Sequence, residues 1–224
     1  MRYFPINLDI SGRLCIVVGG GNVAERKVGG LLSCSGRVKV ISPDLTDGLM
    51  AIKDAGGLVW EDRAYQEGDL KDAFLVIAAT DDPDVQDRVF RETEKGNTLL
   101  NVADVPDRCN FILPAVVQRG DLSISVSTSG KSPALAGRLR EEFEDRIGPE
   151  YEILLNLMGE LRQVVLARGR PHDENKILFN RLLHHEMAEW IRDGQWGRIE
   201  NHIRDVLGCE IQLDCLNKKD SHLR

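Results

Sequence analysis

Leu14-Cys15-Ile16-Val17-Val18-Gly19-Gly20-Gly21-Asn22-Val23-Ala24-Glu25-Arg26-Lys27 decides how the rest of the chain is read. An apolar run enters a glycine turn, and Val23, Lys27, Val28, Leu31 and Leu32 then follow helical spacing. Strand, glycine turn and helix start are the order in which a Rossmann unit holds a dinucleotide pyrophosphate. Gly19 is expected to make the tight turn, Gly21 to let the backbone approach the phosphates, and Ala24 to let helix and strand pack closely. The helix beginning near Asn22 offers N–H groups and a positive dipole end to an anion. An ordinary strand-to-helix turn is the competing reading of the glycines taken alone.

Working outward, Tyr3, Phe4, Ile6 and Leu8 before a Ser11-Gly12 turn suggest a short lead-in strand packed near the first core strand. Arg37-Val38-Lys39-Val40-Ile41 reads as a second strand, ending in Ser42-Pro43-Asp44. A standard fingerprint places an acidic ribose partner at the end of this strand, and that place is vacant. Asp44 or the Ser42 hydroxyl remains for the ribose, which leaves NAD and NADP both open. Leu45, Leu49 and Ile52 predict a short helix closed by Gly56-Gly57, and Leu58-Val59-Trp60 a third strand. Ala73 to Ala79 is a continuous apolar run, the pattern of a central parallel strand buried on both faces. Thr80 at its carboxyl end faces the ligand crevice of such a sheet and is a candidate cofactor contact. Asp81 or Asp82 is expected to cap the next helix, with Pro83 in its first turn. Val85, Val89 and Phe90 continue that helix to Gly96, and Thr98 to Val102 makes a fifth strand. Asp104 follows at the same sheet edge as the glycines; on residue type alone it is a turn aspartate.

Beyond residue 110 the pattern changes. Phe111 to Val117 and the alternating Leu122 to Ser127 predict an antiparallel hairpin around Arg119-Gly120-Asp121, with Leu122, Ile124 and Val126 on one face. A two-stranded unit needs a partner surface, so either extension of the sheet or pairing across a dimer is expected. Ser132 is a natural N-cap for a helix with Pro133 first and Leu135, Leu139 and Phe143 at four-residue spacing. The preceding Thr128-Ser129-Gly130-Lys131 cluster suits a carboxylate or phosphate, without P-loop spacing. From Pro149 the chain reads as helical, with one stripe of Tyr151, Leu154, Leu155, Met158, Leu161 and Val165 and another of Ile177, Leu178, Leu182, Met187 and Ile191. His184-His185-Glu186 is not HExxH, and adjacent histidines on a helix point to different faces, so no metal site is expected there. Cys209 and Cys215 lack a CxxC partner, and the tail beyond Gly208 reads as polar and frayed.

With 224 residues the chain can bury one good core and a second, smaller one. The expected division is 1–111 dinucleotide-binding domain, 112–148 dimerisation segment, 149–210 helical domain and 211–224 polar tail. A net charge of -7 argues against nucleic acid as a partner. The N-terminus lacks the pattern of a signal peptide and no apolar run approaches membrane-spanning length, so a cytoplasmic protein without membrane partners is expected. Five scattered cysteines suit reduced thiols.

Six motifs stand in register: Phe4-Pro5, Val17 to Lys27, Ala78-Ala79-Thr80-Asp81-Asp82, Asn101-Val102-Ala103-Asp104, Phe111-Ile112-Leu113-Pro114-Ala115, and Ser127 to Ala136. Together they make residues 1 to 148 resemble the precorrin-2 dehydrogenase family, the dehydrogenase/ferrochelatase module of siroheme synthases and its stand-alone relatives. The resemblance implies a Rossmann-type α/β sheet followed by a hairpin/helix dimerisation segment and a helical domain. It implies oxidation of precorrin-2 to sirohydrochlorin with NAD, in a homodimer whose contact is made by about 112 to 148. Its cofactor contacts fall on Asn22, Val23, Pro43 and Asp44, which accounts for the vacant acidic position, and its catalytic aspartate falls on Asp104. Thr128 stands where the family has a phosphorylation-prone serine. The polycarboxylate substrate calls for a local basic surface, for which Arg108, Arg119, Lys131, Arg138 and Arg140 are available, with Thr128 and Ser129 beside them; a solvated helix face competes for Arg138 and Arg140. Some relatives also insert Fe2+ or Co2+ into sirohydrochlorin. No histidine precedes residue 172, so a chelatase site would rest on Asp104 or on the helical part. No stretch corresponds to a uroporphyrinogen-methylating domain, so that activity is not expected. A nucleotide-sensing regulatory module is the alternative, but it predicts an acidic end to the second strand and gives Asp104 no task.

Overall fold

The computed structural model describes residues 3–208. The chain divides into two compact units at Leu113/Pro114.

In the first unit, the strands β1 (Leu14–Val18), β2 (Arg37–Ser42), β3 (Leu58–Asp62), β4 (Leu75–Ala78) and β5 (Leu99–Val102) form one parallel sheet in the order β3-β2-β1-β4-β5. The helices α1 (Asn22–Ser33), α2 (Asp47–Asp54) and α3 (Pro83–Glu94) connect them. Strand pleating sends Cys15, Val17, Leu75 and Ile77 into one core with Ala24, Val28, Leu31 and Leu49. It sends Ile16, Val18, Val76 and Ala78 into a second core with Val89, Leu100 and Val102. Burial on both faces explains why β1 and β4 read as unbroken apolar runs. Because β2 lies on one side of β1 and β4 on the other, strand order reverses between β1 and β4, and the crevice opens there at the carboxyl ends.

The second unit opens with β6 (Ala115–Arg119) and β7 (Leu122–Val126), an antiparallel pair in which Arg119 opposes Leu122, so Gly120-Asp121 is a two-residue link. The helices α4 (Pro133–Arg146), α5 (Glu150–Ala167), α6 (His172–Leu182), α7 (Met187–Arg192) and α8 (Trp196–Leu207) follow. Their core is Leu154, Leu157, Leu161, Val165, Leu178, Leu182, Met187, Ile191, Ile199 and Ile203. The buried Glu150 carboxylate at the start of α5 pairs with Arg192 of α7 at 2.6 Å.

Several expectations are corrected. Residues 4–10 form no strand, and Phe4 and Ile6 are exposed. The first hairpin strand starts at Ala115, because Asn110 and Phe111 are tied back to β5: Leu100 N–H donates to Asn110 Oδ1 at 2.8 Å and Asn101 Nδ2 to the Phe111 carbonyl at 3.2 Å. Leu155 and Ile177 are exposed, while Leu157, outside the predicted stripe, is fully buried. The second stripe is divided between α6 and α7, with His184-His185-Glu186 in the intervening turn. Cys209, Cys215 and the tail expected to be polar and frayed lie outside the described residues.

A crevice at the carboxyl edge of the sheet

Parallel strands end at one edge, so the segments after β1, β2, β4 and β5 border one crevice. Gly19 has φ +119°, and a Cβ there would strike the Ala79 carbonyl oxygen and come within 3.3 Å of Thr80 N. Glycine is thus required where the turn after β1 crosses the end of β4. Gly20 carries the second constraint: a Cβ would collide with the Asp44 carbonyl oxygen and lie 2.8 Å from Ser42 Oγ. Its own carbonyl accepts from Thr46 N–H at 3.0 Å, which draws the Ser42-Pro43-Asp44 corner against the glycine turn. Sequence reasoning assigned no task to Gly20; the signal was a glycine at the middle position of the run Gly19-Gly20-Gly21. Around Gly21 there is open space, with nothing within 4 Å of an added Cβ. Gly21 is the N-cap residue of α1, and no side chain caps the helix. Uncovered main chain at the positive end of a twelve-residue helix suits a pyrophosphate, so the turn fits a dinucleotide.

Asn22 and Val23 are exposed at this helix start and Ala24 is fully buried against the sheet. Ser42 is buried at the end of β2, its carbonyl held by Trp60 Nε1 at 2.9 Å, while Pro43 and Asp44 are exposed. Glu25, in the first turn of α1, points to α2: it accepts from the Thr46 hydroxyl, which in turn accepts from Leu49 N–H at 3.2 Å as the α2 cap. That carboxylate is therefore committed elsewhere and leaves the dipole end of α1 clear. Thr80 closes a turn, its hydroxyl accepting from Asp82 N–H at 3.3 Å and its carbonyl from Gln86 Nε2 at 2.7 Å. Asp82, as expected, caps α3 by accepting from Asp84 and Val85 N–H.

Asp104 stands two residues past β5, exposed, with φ +61°. A left-handed conformation is uncommon outside glycine, although aspartate tolerates it better than most residues. The loop is held by a residue that sequence reasoning passed over. Cys109, buried, accepts from Val102 N–H at 3.2 Å and shares its thiol proton between the Val102 and Val105 carbonyls, each at 3.3 Å. One side chain thus pins both ends of the segment carrying Asp104. The Lys27 ammonium on α1 is the cation whose charge is coupled to Asp104: burial, with help from Arg26, lowers its pKa, and the Asp104 carboxylate acts to raise it.

The basic candidates separate. Arg108 pairs with Asp87 of α3 and lines a cavity of about 240 Å3 with Phe90, Leu100 and Cys109. Arg119 is withdrawn as a substrate ligand, because its guanidinium donates to the carbonyls of Ile147 at 2.8 Å, Glu144 at 3.2 Å and Gln118 at 2.8 Å, capping α4. Arg138 and Arg140 form pairs along α4 with Glu142 and Glu144, the bland reading of that face. Thr128 Oγ1 accepts from Ser132 N–H and donates to the Ser132 carbonyl, both at 3.1 Å. Ser129 (φ +54°) and Gly130 (φ +80°) are left-handed in the turn closed by Lys131 N–H and the Thr128 carbonyl. Lys131 is exposed, with no ion pair among the described residues.

Known proteins carry the same two parts. Residues 6–115 match a family described as "Putative NAD(P)-binding", and residues 119–146 one described as "Sirohaem biosynthesis protein central". A siroheme synthase of Nitrosococcus oceani is 37% identical over 207 residues, which is 92% of this chain and 44% of that protein. One of Actinobacillus succinogenes is 32% identical over 214 residues, 96% of this chain and again 44% of the relative. The chain thus spans less than half the length of these relatives. The solved structure of SirC, precorrin-2 dehydrogenase, has the same fold, with TM-score 0.78 and 23% identity over 92% of this chain and 100% of that one. By both of its parts and by these relatives, the chain matches the NAD(P)-binding and central regions of siroheme synthases.

Proposed function

We propose that this chain oxidises precorrin-2 to sirohydrochlorin, transferring hydride to NAD+ and releasing a proton. The observation that carries the reading is Asp104, held left-handed on the same sheet edge as the glycine turn and buttressed by Cys109. NAD supplies the hydride acceptor when bound. Gly21 would leave room for its pyrophosphate at the turn that Gly19 makes, Asn22, Val23 and Ala24 would supply the helix start that attracts it, and Ser42, Pro43, Asp44 and Thr80 would hold the rest of the nucleotide. An exposed aspartate at the ribose corner repels a 2′-phosphate, which supports NAD over NADP. Asp104 orients the macrocycle and accepts the proton lost with the hydride. Lys131 and the left-handed turn at Ser129 are the remaining candidates for the substrate carboxylates, and Arg108 would serve only by exchanging Asp87 for one of them.

Exposed Leu135 and Phe143 on α4 and Val116 on β6 support a homodimer built on this segment, since Leu135 and Phe143 lie on the apolar spacing of a core stripe while only Ala136 of α4 is buried. Among the described residues no helix is long and apolar enough to cross a membrane, in line with a cytoplasmic enzyme. The sensor alternative is disfavoured because β2 ends in Ser42. Anaerobic incubation with precorrin-2 and NAD decides between them: NADH absorbance rising in step with sirohydrochlorin is expected, whereas tight NAD binding without NADH would favour the sensor.

A further inference from the structure

The turn between α6 and α7 gathers groups that no step above uses. We propose that His184, His185 and Glu186 form a binding site for a divalent first-row transition cation. Sequence spacing spoke against this because neighbouring histidines diverge on a helix, but these residues lie in the turn after Leu182. There the two imidazole centroids are 4.3 Å apart, and a donor atom from each of the three side chains lies within 4.8 Å of the others.

The orientation of His184 points to a cation. Glu186 N–H donates to His184 Nδ1 at 3.2 Å, so in the neutral ring the Nδ1 lone pair faces that side. The Glu186 carboxylate Oε2 stands 3.8 Å from the same nitrogen. The ring nitrogen and the carboxylate are two electron-pair donors close enough to share one cation. Ligands about 2.0–2.2 Å from a tetrahedral metal lie about 3.4 Å apart, so this pair needs to close by only about half an ångström. Metal binding exchanges the long main-chain hydrogen bond for coordination, and the exposed His185 completes a two-histidine, one-carboxylate set with positions left for water. Imidazole with carboxylate selects Zn2+, Co2+, Ni2+ or Fe2+ over Mg2+ and Ca2+.

The walls hold the first ligand in place. The His184 ring stacks on Trp190 at 4.7 Å and meets His202 edge-on at 5.2 Å. His202 Nε2 is engaged with the Arg181 and Leu182 carbonyls at 3.1 and 3.2 Å, which fixes that ring as a wall.

The test titrates untagged, full-length protein with Zn2+ by calorimetry and with Co2+ by visible absorbance and tryptophan fluorescence. The expected result is one cation bound through this set, with d–d bands of an ordered Co2+ site and quenching through Trp190. His185→Ala and Glu186→Gln should each weaken Zn2+ binding at least tenfold while leaving the metal-free melting temperature unchanged. Absence of Zn2+ binding at micromolar concentration, or binding that survives both substitutions, overturns the proposal.

Discussion

Gly20 and Gly21 are adjacent and chemically identical, yet their surroundings assign them opposite tasks. A methyl group on Gly20 meets the Asp44 carbonyl and Ser42 Oγ. Gly20→Ala should therefore lower stability by about 1–3 kcal/mol, the usual cost of overpacking, and lower the melting temperature with it. A methyl group on Gly21 meets nothing, and its φ of -84° suits any residue. Gly21→Ala should keep stability within about 0.5 kcal/mol, as for a substitution that creates no strain. Its NAD dissociation constant should nevertheless rise at least about tenfold, or ~1.4 kcal/mol, because the added group occupies the phosphate approach. Thermal unfolding and NAD titration of the pair check this; a Gly21→Ala protein with unchanged NAD affinity would move the pyrophosphate off the turn.

At the scale of elements, side chains brace the segment between β3 and β4. Arg63 and Asp69 form a two-pronged pair at 2.7 Å, and Asp69 also accepts from Gln66 N–H at 2.8 Å. Glu92 of α3 accepts from Gly68 and Leu70 N–H and from the Tyr65 hydroxyl, which burial and that carboxylate push to a higher pKa. The Arg63 hydrogen bond holds the Asp69 carboxyl below its ordinary 3.8. A carboxylate whose pKa falls on folding adds stability above its unfolded pKa, and that stability is lost as pH drops through the folded value. Asp69→Asn should thus cost about 1–2 kcal/mol at pH 7 and flatten the stability profile below about pH 4, read by denaturant unfolding at several pH values. The strands were legible because β1 and β4 are buried on both faces, and the caps at Asp82 and Ser132 because capping is local chemistry. Phe111-Ile112-Leu113 misled because its apolar character reflects a return to the first unit: Phe111 packs against the core beside β4 and is not in a hairpin strand. Arg119 and Cys109 were illegible for a related reason. The partners that fix them here include backbone carbonyls and an N–H group, which leave no mark in the order of side chains.

For the whole molecule, the net charge of -7 makes a polycarboxylate substrate dependent on a few local cations, and the withdrawal of Arg119 narrows them. Association through the hairpin segment is expected, so Leu135→Glu, which places a charge on an exposed apolar residue of α4, should convert a dimer to a monomer in light scattering while leaving the fold intact. An unchanged dimer would place the contact elsewhere. The redox reading itself rests on Asp104 acting on the macrocycle and not on the nucleotide. Steady-state NADH formation from precorrin-2, measured beside NAD affinity, tests this directly in Asp104→Asn. The expected result is a fall in kcat of about 100-fold or more, the range for a missing proton acceptor, with NAD affinity unchanged. Full turnover in that variant, or a loss confined to NAD binding, would contradict it.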